Sequence, residues 1–498
     1  MPKTGEGSKL KRFLFHNQST AQTIAKNTFW LSFGEIFGRL LRVGLIFYAA
    51  RVLGAAGYGA FSYMTSLAGI LTIFSDMGLS AILIREGAKG EETRRAYFAT
   101  SLLIKLVMII LTFVIIVLVT PRVTTIPLSP ALIYAIGLLS IFDTLRVFGN
   151  AVFRSEERMQ LEAGTNILTQ FTILIVGLYV LAFIPSPENL AMAYAIGSAI
   201  GLLLVLYLIK RYFRDVFKFF RRDLIKVILT AGWPIGFSAI FGGLLVNIDT
   251  VMIGWFMNAE QVGYYSAAQK PIAFQYLLPA FIVGGLLPVM ARYAKDNKEK
   301  FREVMERGLS MTILLAYPLV AGITLNASKI VEIVYGMEFI NAATSMTILA
   351  FTLLIPFPGT MIINAIFAFD RQKELIPMWI IGSTLNVALN FYLIPILGAP
   401  GSAFASLLTQ MLITGLLWRK MWQINHFRVI KHTTSIIKAT ALMILGILTM
   451  NGLGTPFALM TLASMIIYFG ALIFFKDATL QSLITVVEGL NDTKPHKT

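Results

Sequence analysis

The sequence predicts an all-α polytopic membrane protein of about fourteen transmembrane helices. Three observations predict it. Hydrophobic residues make up 56% of the 498-residue chain against 14% charged, with a mean hydropathy of +0.74. Apolar runs recur at a length suited to a bilayer core, which is about 30 Å thick and needs roughly 20 residues per helical crossing. Finally, Lys and Arg gather in alternate loops between those runs. A membrane barrel would alternate in polarity every second residue, whereas runs such as 102–119 are apolar on every side. That pattern also excludes an ordinary soluble fold.

The expected helices lie near 27–49, 58–84, 97–119, 130–152, 163–184, 188–209, 224–248, 263–290, 308–325, 343–367, 375–397, 400–418, 433–451 and 455–475. Segments on the side of the N terminus carry 32 Lys and Arg residues, and the opposite loops carry only Arg51, Arg122 and Lys329. The positive-inside rule then places both termini in the cytoplasm of a multi-pass cell-membrane protein. This asymmetry accounts for the net charge of +16 without nucleic acid, because basic loops such as 210–222 and 292–307 would face anionic membrane lipids. The basic N-terminal 26 residues precede an apolar run that is too long and too late for a cleaved secretory signal, so insertion through the first helix is expected.

No outer loop exceeds roughly 17 residues by this assignment, which leaves no room for an extracellular catalytic domain. The absence of cysteine excludes disulfides, thiolate catalysis and cysteine-ligated metal. His16, His426, His432 and His496 lie in basic loops or tails and form no ligand cluster. No catalytic residues, metal or cofactor are expected, and any function must lie between the helices.

The two halves repeat. Residues 57–62 (GYGAFS) resemble 262–266 (VGYYS), and Asn150-Ala151-Val152-Phe153 matches Asn364-Ala365-Ile366-Phe367 ahead of a charged turn. Six helices per copy return the chain to its starting side, so the copies share an orientation and relate by an axis along the membrane normal. The expected organisation is a cytoplasmic leader (1–26), an N-terminal six-helix lobe (27–209), a basic linker (210–223) and a C-terminal six-helix lobe (224–418). An extra helix pair (419–475) and a cytoplasmic tail (476–498) follow.

The stretch Ala50-Arg51-Val52-Leu53-Gly54 through Gly57-Tyr58-Gly59, followed by Phe74-Ser75-Asp76-Met77-Gly78-Leu79, resembles the start of Wzx-type polysaccharide flippases. Asn247-Ile248-Asp249-Thr250 with residues 262–268, and Asn386 through Asn390 with Leu393-Ile394-Pro395, Gly398, Gly401, Ala403 and Ala405, continue the likeness. The resemblance spans most of residues 20–420. It implies the superfamily that also holds MATE exporters and lipid II flippases: two six-helix lobes around a cleft, translocating polyprenyl-pyrophosphate-linked oligosaccharides. The partners so implied are the lipid-linked oligosaccharide, membrane lipids, and polysaccharide polymerases or transferases acting on the same glycan.

Ionisable side chains at membrane depth cost a few kcal/mol each on insertion scales and are candidate functional residues. In the first segment Glu35, Arg39 and Arg42 fall at i, i+4 and i+7 and share an arc of about 80° with Thr28 and Ser32. One reading has Arg39 and Arg42 line the cleft and grip pyrophosphate, since a guanidinium fork meets phosphate oxygens in pairs. The other has Glu35 and Arg39 bridge each other, leaving Arg42 free. In the fourth segment Ser140, Asp143, Arg146 and Asn150 repeat the pattern, with Asp143 and Arg146 spaced to pair. Lys270 sits beside Pro271, where a broken helix would open backbone groups to the cleft.

Lys105 lies nearer a membrane face and is expected to snorkel to the interface. Asp76 and Asp249 are candidate sites for the proton or sodium ion that drives transport, or else cap helices and bridge the lobes. Asn386 and Asn390 are expected to hydrogen-bond between helices, and Gly284-Gly285 to mark a close helix contact. The expected function is a flippase that makes and breaks no bond. A MATE-like cation exporter is the alternative, but it calls for a more acidic cleft. An envelope glycosyltransferase or polymerase would need an outer loop or a carboxylate site.

Overall fold

The computed structural model describes residues 19–428 and 433–481. The leader before Ser19, the tail beyond Gln481, and His16, His432 and His496 lie outside the described residues. Among the described residues, thirteen helices are long and apolar enough to cross a membrane. The first of them has two arms, so the crossings number fourteen.

The first unit opens with α1 (Thr20–Asp76), α2 (Leu79–Gly87), α3 (Glu91–Val123) and α4 (Pro130–Ser155). It continues with α5 (Met159–Phe183), α6 (Pro187–Leu208) and α7 (Arg222–Phe256). Helices then run from α8 (Ala259–Gln275), α9 (Leu277–Asp296), α10 (Lys298–Tyr335), α11 (Ala342–Thr352) and α12 (Pro356–Ala368) to α13 (Ile376–Leu397), α14 (Ala399–Ile424), α15 (Thr434–Gly452) and α16 (Phe457–Phe474).

Helix starts follow from local chemistry. Ser129 and Ser186 accept hydrogen bonds from the N–H groups of Leu132 (3.2 Å) and Asn189 (3.1 Å), and each is followed by a proline whose missing N–H costs nothing there. Asn297 caps α10 by accepting from Glu299 (3.1 Å) and Lys300 (3.0 Å).

Two expectations about the second segment change. The turn expected between the first two segments is a single non-helical residue, Gly54, at φ 68 and ψ 176 inside an otherwise continuous helix. The segment expected to run through residue 84 breaks at Met77 (φ 40) and Gly78 (φ 79), both left-handed. Gly78 has room only for hydrogen there, because a Cβ would stand 2.6 Å from the carbonyl oxygen of Gly232 in α7.

By packing, the chain divides after Gly263 into two compact units. In the first, α1 lies on α5, α4 on α6, and α7 on α1, α2 and α3. One apolar cluster in it joins Leu83, Phe98, Phe148, Val152, Val205 and Ile209. At one end of that cluster Glu156 pairs with Arg211 and accepts from the Tyr212 hydroxyl at 2.5 Å, with Arg94 and Arg158 at 3.5 Å, tying together the ends of α3, α4 and α6.

In the second unit α13 packs on α14, and α15 and α16 pack on each other and on α10. The buried hydroxyl of Tyr468 donates to the Leu314 carbonyl at 2.7 Å. Asn390 accepts from Ser402 of α14 at 2.7 Å, the interhelical bonding expected for it, and donates to Asn386 within α13 at 3.0 Å. Gly284 and Gly285 are a correction: among the described residues nothing lies within 4 Å of the position a Cβ would take, so they mark no close helix contact there.

The internal repeat has a local structural counterpart. After α4 the Arg158 N–H donates to the Phe153 carbonyl (2.9 Å), and after α12 the Arg371 N–H donates to the Ile366 carbonyl (3.2 Å). The intervening Glu157 and Asp370 are left-handed, at φ 56 and 59. The same helix-ending turn thus recurs about 213 residues apart in each unit.

Candidate functional site

The first arm of α1 meets α5 through glycines. A Cβ on Gly34 would stand 3.0 Å from Ala163 Cα, and one on Gly38 would stand 3.1 Å from Gln170 Cγ. Close backbone approach of this kind is how membrane helices associate, since lipid offers no hydrophobic drive between them. One turn beyond Gly38, Arg42 Nε reaches Gln170 Oε1 at 3.3 Å.

Beside this contact α1, α4 and α5 line an open polar cleft of about 360 Å³. It is lined by Glu35, Arg39 and Arg42 from α1, by Arg146, Asn150 and Arg154 from α4, and by Glu162, Asn166 and Gln170 from α5. The polar stripes of the first and fourth segments therefore face one space. Glu35 and Arg39 form the i, i+4 ion pair the spacing allows, at 2.7 Å, and both remain half-exposed. Arg146 is buried and donates to Asp143 Oδ1 at 2.6 Å, while its Nη1 donates to Asn166 Oδ1. Gly201 of α6 makes room for the Arg146 stem, since a Cβ there would lie 2.9 Å from Arg146 Cδ.

Arg154 grips Glu162 with two bonds, 2.7 and 2.6 Å, across the turn between α4 and α5. Three of the four cleft guanidinium groups are thus neutralised by carboxylates. Arg42 is the fourth, and its partner is the uncharged amide of Gln170.

Sequence reasoning missed Arg154, Glu162, Asn166 and Gln170. The expected helices leave 153–162 between them and so exclude Arg154 and Glu162, whereas α4 runs to Ser155 and α5 starts at Met159. A signal was present: Glu162, Asn166 and Gln170 stand at i, i+4 and i+8 and so share one face of an otherwise apolar helix.

The remaining candidates lie elsewhere. Lys105 does not snorkel: it is 1% exposed, its ammonium is 2.5 Å from Asp76 Oδ1, and the Phe148 ring covers it at 5.2 Å. The helix break at Met77 explains the correction, because it leaves Asp76 at a helix end within reach of α3. Asp76 also accepts from the Ser80 hydroxyl at 2.5 Å. Asp249 is buried within α7. Lys270 is half-buried on α8, in the second unit, one residue before Pro271.

Residues 24–294, just over half the chain and including every residue of this cleft, match the polysaccharide biosynthesis protein family. The chain belongs to that family. Among curated relatives, it is 24% identical over 392 residues to a probable low-salt glycan biosynthesis flippase of Haloferax volcanii, covering 78% of this chain and 81% of the relative. It is 23% identical over 409 residues to a putative O-antigen transporter of Shigella flexneri, covering 77% and 94%. Among solved structures, the lipid II flippase MurJ in an inward closed conformation superposes with a TM-score of 0.74 at 15% identity, over 91% of this chain and 99% of that one. An inward-facing MATE multidrug transporter of the MOP superfamily superposes at 0.63 with 14% identity, covering 80% and 98%. At these identities the likenesses establish the fold: this family member is a multi-pass helical protein with the fold of those two structures.

Proposed function

We propose that the protein is a flippase that carries a polyprenyl-pyrophosphate-linked oligosaccharide from the cytoplasmic to the outer leaflet for cell-surface polysaccharide synthesis. The observation that carries this reading is Arg42: a guanidinium in a polar cleft between membrane helices, with no carboxylate partner among the described residues. An unneutralised cation at this depth costs on the order of 3 kcal/mol on insertion scales, a cost that a bound oxyanion offsets. Arg39 and Arg146 supply further guanidinium edges, Glu35 and Asp143 hold them in place, and the isoprenoid tail stays in lipid. Lys270 of α8 is a candidate substrate-binding residue of the second unit. Asp249 and Asp76 are the candidates for proton or sodium coupling, Asp76 by release from Lys105.

The orientation follows the basic loops, with both termini in the cytoplasm and two six-helix lobes plus a C-terminal pair. Polymerases or transferases would take up the glycan at the outer leaflet. The names of the flippase and O-antigen transporter relatives support the same cargo. A MATE-like exporter of cations shares the fold but calls for acids in the cleft, where arginine prevails.

The test is reconstitution into vesicles with a labelled polyprenyl-pyrophosphate oligosaccharide in one leaflet. Translocation faster than in protein-free vesicles is expected, and no acceleration refutes the reading.

A further inference from the structure

The α5 wall of the cleft has a fixed hydrogen-bonding polarity. A guanidinium carries N–H donors and no acceptor, so an amide that faces one must turn its oxygen toward it. Arg42 therefore holds the oxygen of Gln170, and Arg146 holds the oxygen of Asn166, which also accepts from Asn150 Nδ2 at 3.4 Å. The other acceptors nearby are occupied in the same way. Asn150 Oδ1 takes the Thr165 hydroxyl at 3.1 Å, and both oxygens of Glu162 are held by Arg154.

What α5 leaves for a ligand is a row of donors: the amide nitrogens of Gln170 and Asn166, one turn apart, beside the terminal nitrogens of Arg42. Gln170 is only 8% exposed, and neither amide nitrogen has a hydrogen-bond partner among the described residues. Both residues line the cleft, so water satisfies their nitrogens there, and a ligand with acceptor oxygens on that side replaces that water bond for bond. On the opposite wall Glu35 is held by Arg39 through one carboxylate oxygen.

We propose that Gln170 and Asn166 are ligand-contacting residues that form, with Arg42, a seat for an oxyanion. Arg42 and Arg146 act on the amides as positioning residues by locking their nitrogens outward. The seat takes a group with several acceptor oxygens on one side, either the pyrophosphate of the lipid carrier or the carboxylate of an acidic sugar. This specificity rests on the flippase reading, but the seat itself can be judged apart from it.

The experiment titrates the purified full-length protein in detergent at low salt with inorganic pyrophosphate and, separately, with glucuronate. It compares wild type with Gln170→Glu and Gln170→Met, and with Asn166→Leu if the first variant does not fold by thermal melting. Gln170→Glu keeps the shape, replaces the donors by acceptors and closes Arg42 in an ion pair. It is expected to weaken anion binding at least about tenfold, and Gln170→Met by a smaller factor, as loss of a charge-assisted bond implies.

Loss confined to pyrophosphate assigns the seat to the carrier, and loss confined to glucuronate assigns it to the glycan. Wild type that binds neither anion, or variants that bind both as wild type does, overturn the seat. Running translocation alongside separates the two ideas. Wild type that binds anions through Gln170 yet moves no labelled lipid sinks the flippase reading and leaves the seat. Wild type that moves lipid while Gln170→Glu binds and transports unchanged does the reverse.

Discussion

The ammonium of Lys105 lies 2.5 Å from Asp76 Oδ1 and joins the middle of α3 to the broken end of α1 inside the membrane-spanning bundle. The pair has asymmetric exposure, 1% for the Lys105 side chain and 33% for Asp76. Removing only Asp76 strands the buried Lys105 charge, whereas neutralising both leaves no charge to compensate.

Asp76→Asn alone should therefore destabilise the protein by on the order of 3 kcal/mol, and Asp76→Asn combined with Lys105→Met by about 1 kcal/mol. Thermal melting in detergent, followed by tryptophan fluorescence, measures both. A double variant as unstable as the sum of its single variants would show that the two side chains do not interact.

This pair also marks a limit of what the sequence makes legible. Crossing helices, their count and the charged face of α1 follow from length and period alone, because the bilayer imposes both. Arg39, Arg42 and Arg146 meet in one cleft because Glu35, Asp143 and the apolar remainder of each helix leave them a single polar direction. The partner of Lys105 was not legible, since it depends on a helix break at Met77-Gly78 that no proline announces. The α5 stripe is legible in its spacing, but Glu162 falls one residue outside the helix expected from 163, and the uncharged Asn166 and Gln170 inside it do not by themselves mark a polar face.

Arg42 separates charge from geometry. If its forked donors matter, Arg42→Lys should lose transport nearly as fully as Arg42→Ala, each by at least about tenfold, because an ammonium cannot bond two oxygens in a plane. Initial translocation rates in vesicles give the comparison. Wild-type rates in Arg42→Lys would reduce the role of Arg42 to charge alone.

Glu86, at the end of α2, carries a pH dependence with a definite sign. Hydrogen bonds from Lys89 (2.5 Å), helped by Arg85 (2.9 Å), hold its carboxyl below the ordinary glutamate value of 4.5 despite some desolvation. A depressed folded-state value means stabilisation that is present above pH 4.5 and is lost as pH falls below it. The partners are exposed, so the effect is a few tenths of a kcal/mol. The melting midpoint of wild type minus that of Glu86→Gln should be positive at pH 7 and shrink toward pH 3. A difference that grows on acidification would contradict the assignment.

Two glycines with opposite surroundings test how tightly the cleft is built. At Gly201 an added Cβ would stand 2.0 Å from Thr169 Oγ1 and 2.9 Å from Arg146 Cδ, whereas at Gly164 of α5 it would meet nothing within 4 Å. Gly201→Ala must push α6 from α5 or displace Arg146, at about 1–3 kcal/mol as overpacking costs. Gly164→Ala only removes backbone freedom from the unfolded chain and should stabilise by roughly 0.5–1 kcal/mol. The functional readout should divide with the structure: because Arg146 orients Asn166, Gly201→Ala should also weaken pyrophosphate binding, and Gly164→Ala should leave it unchanged. Equal melting midpoints for the two variants would mean that α5 and α6 are less closely packed around Arg146 than these distances require.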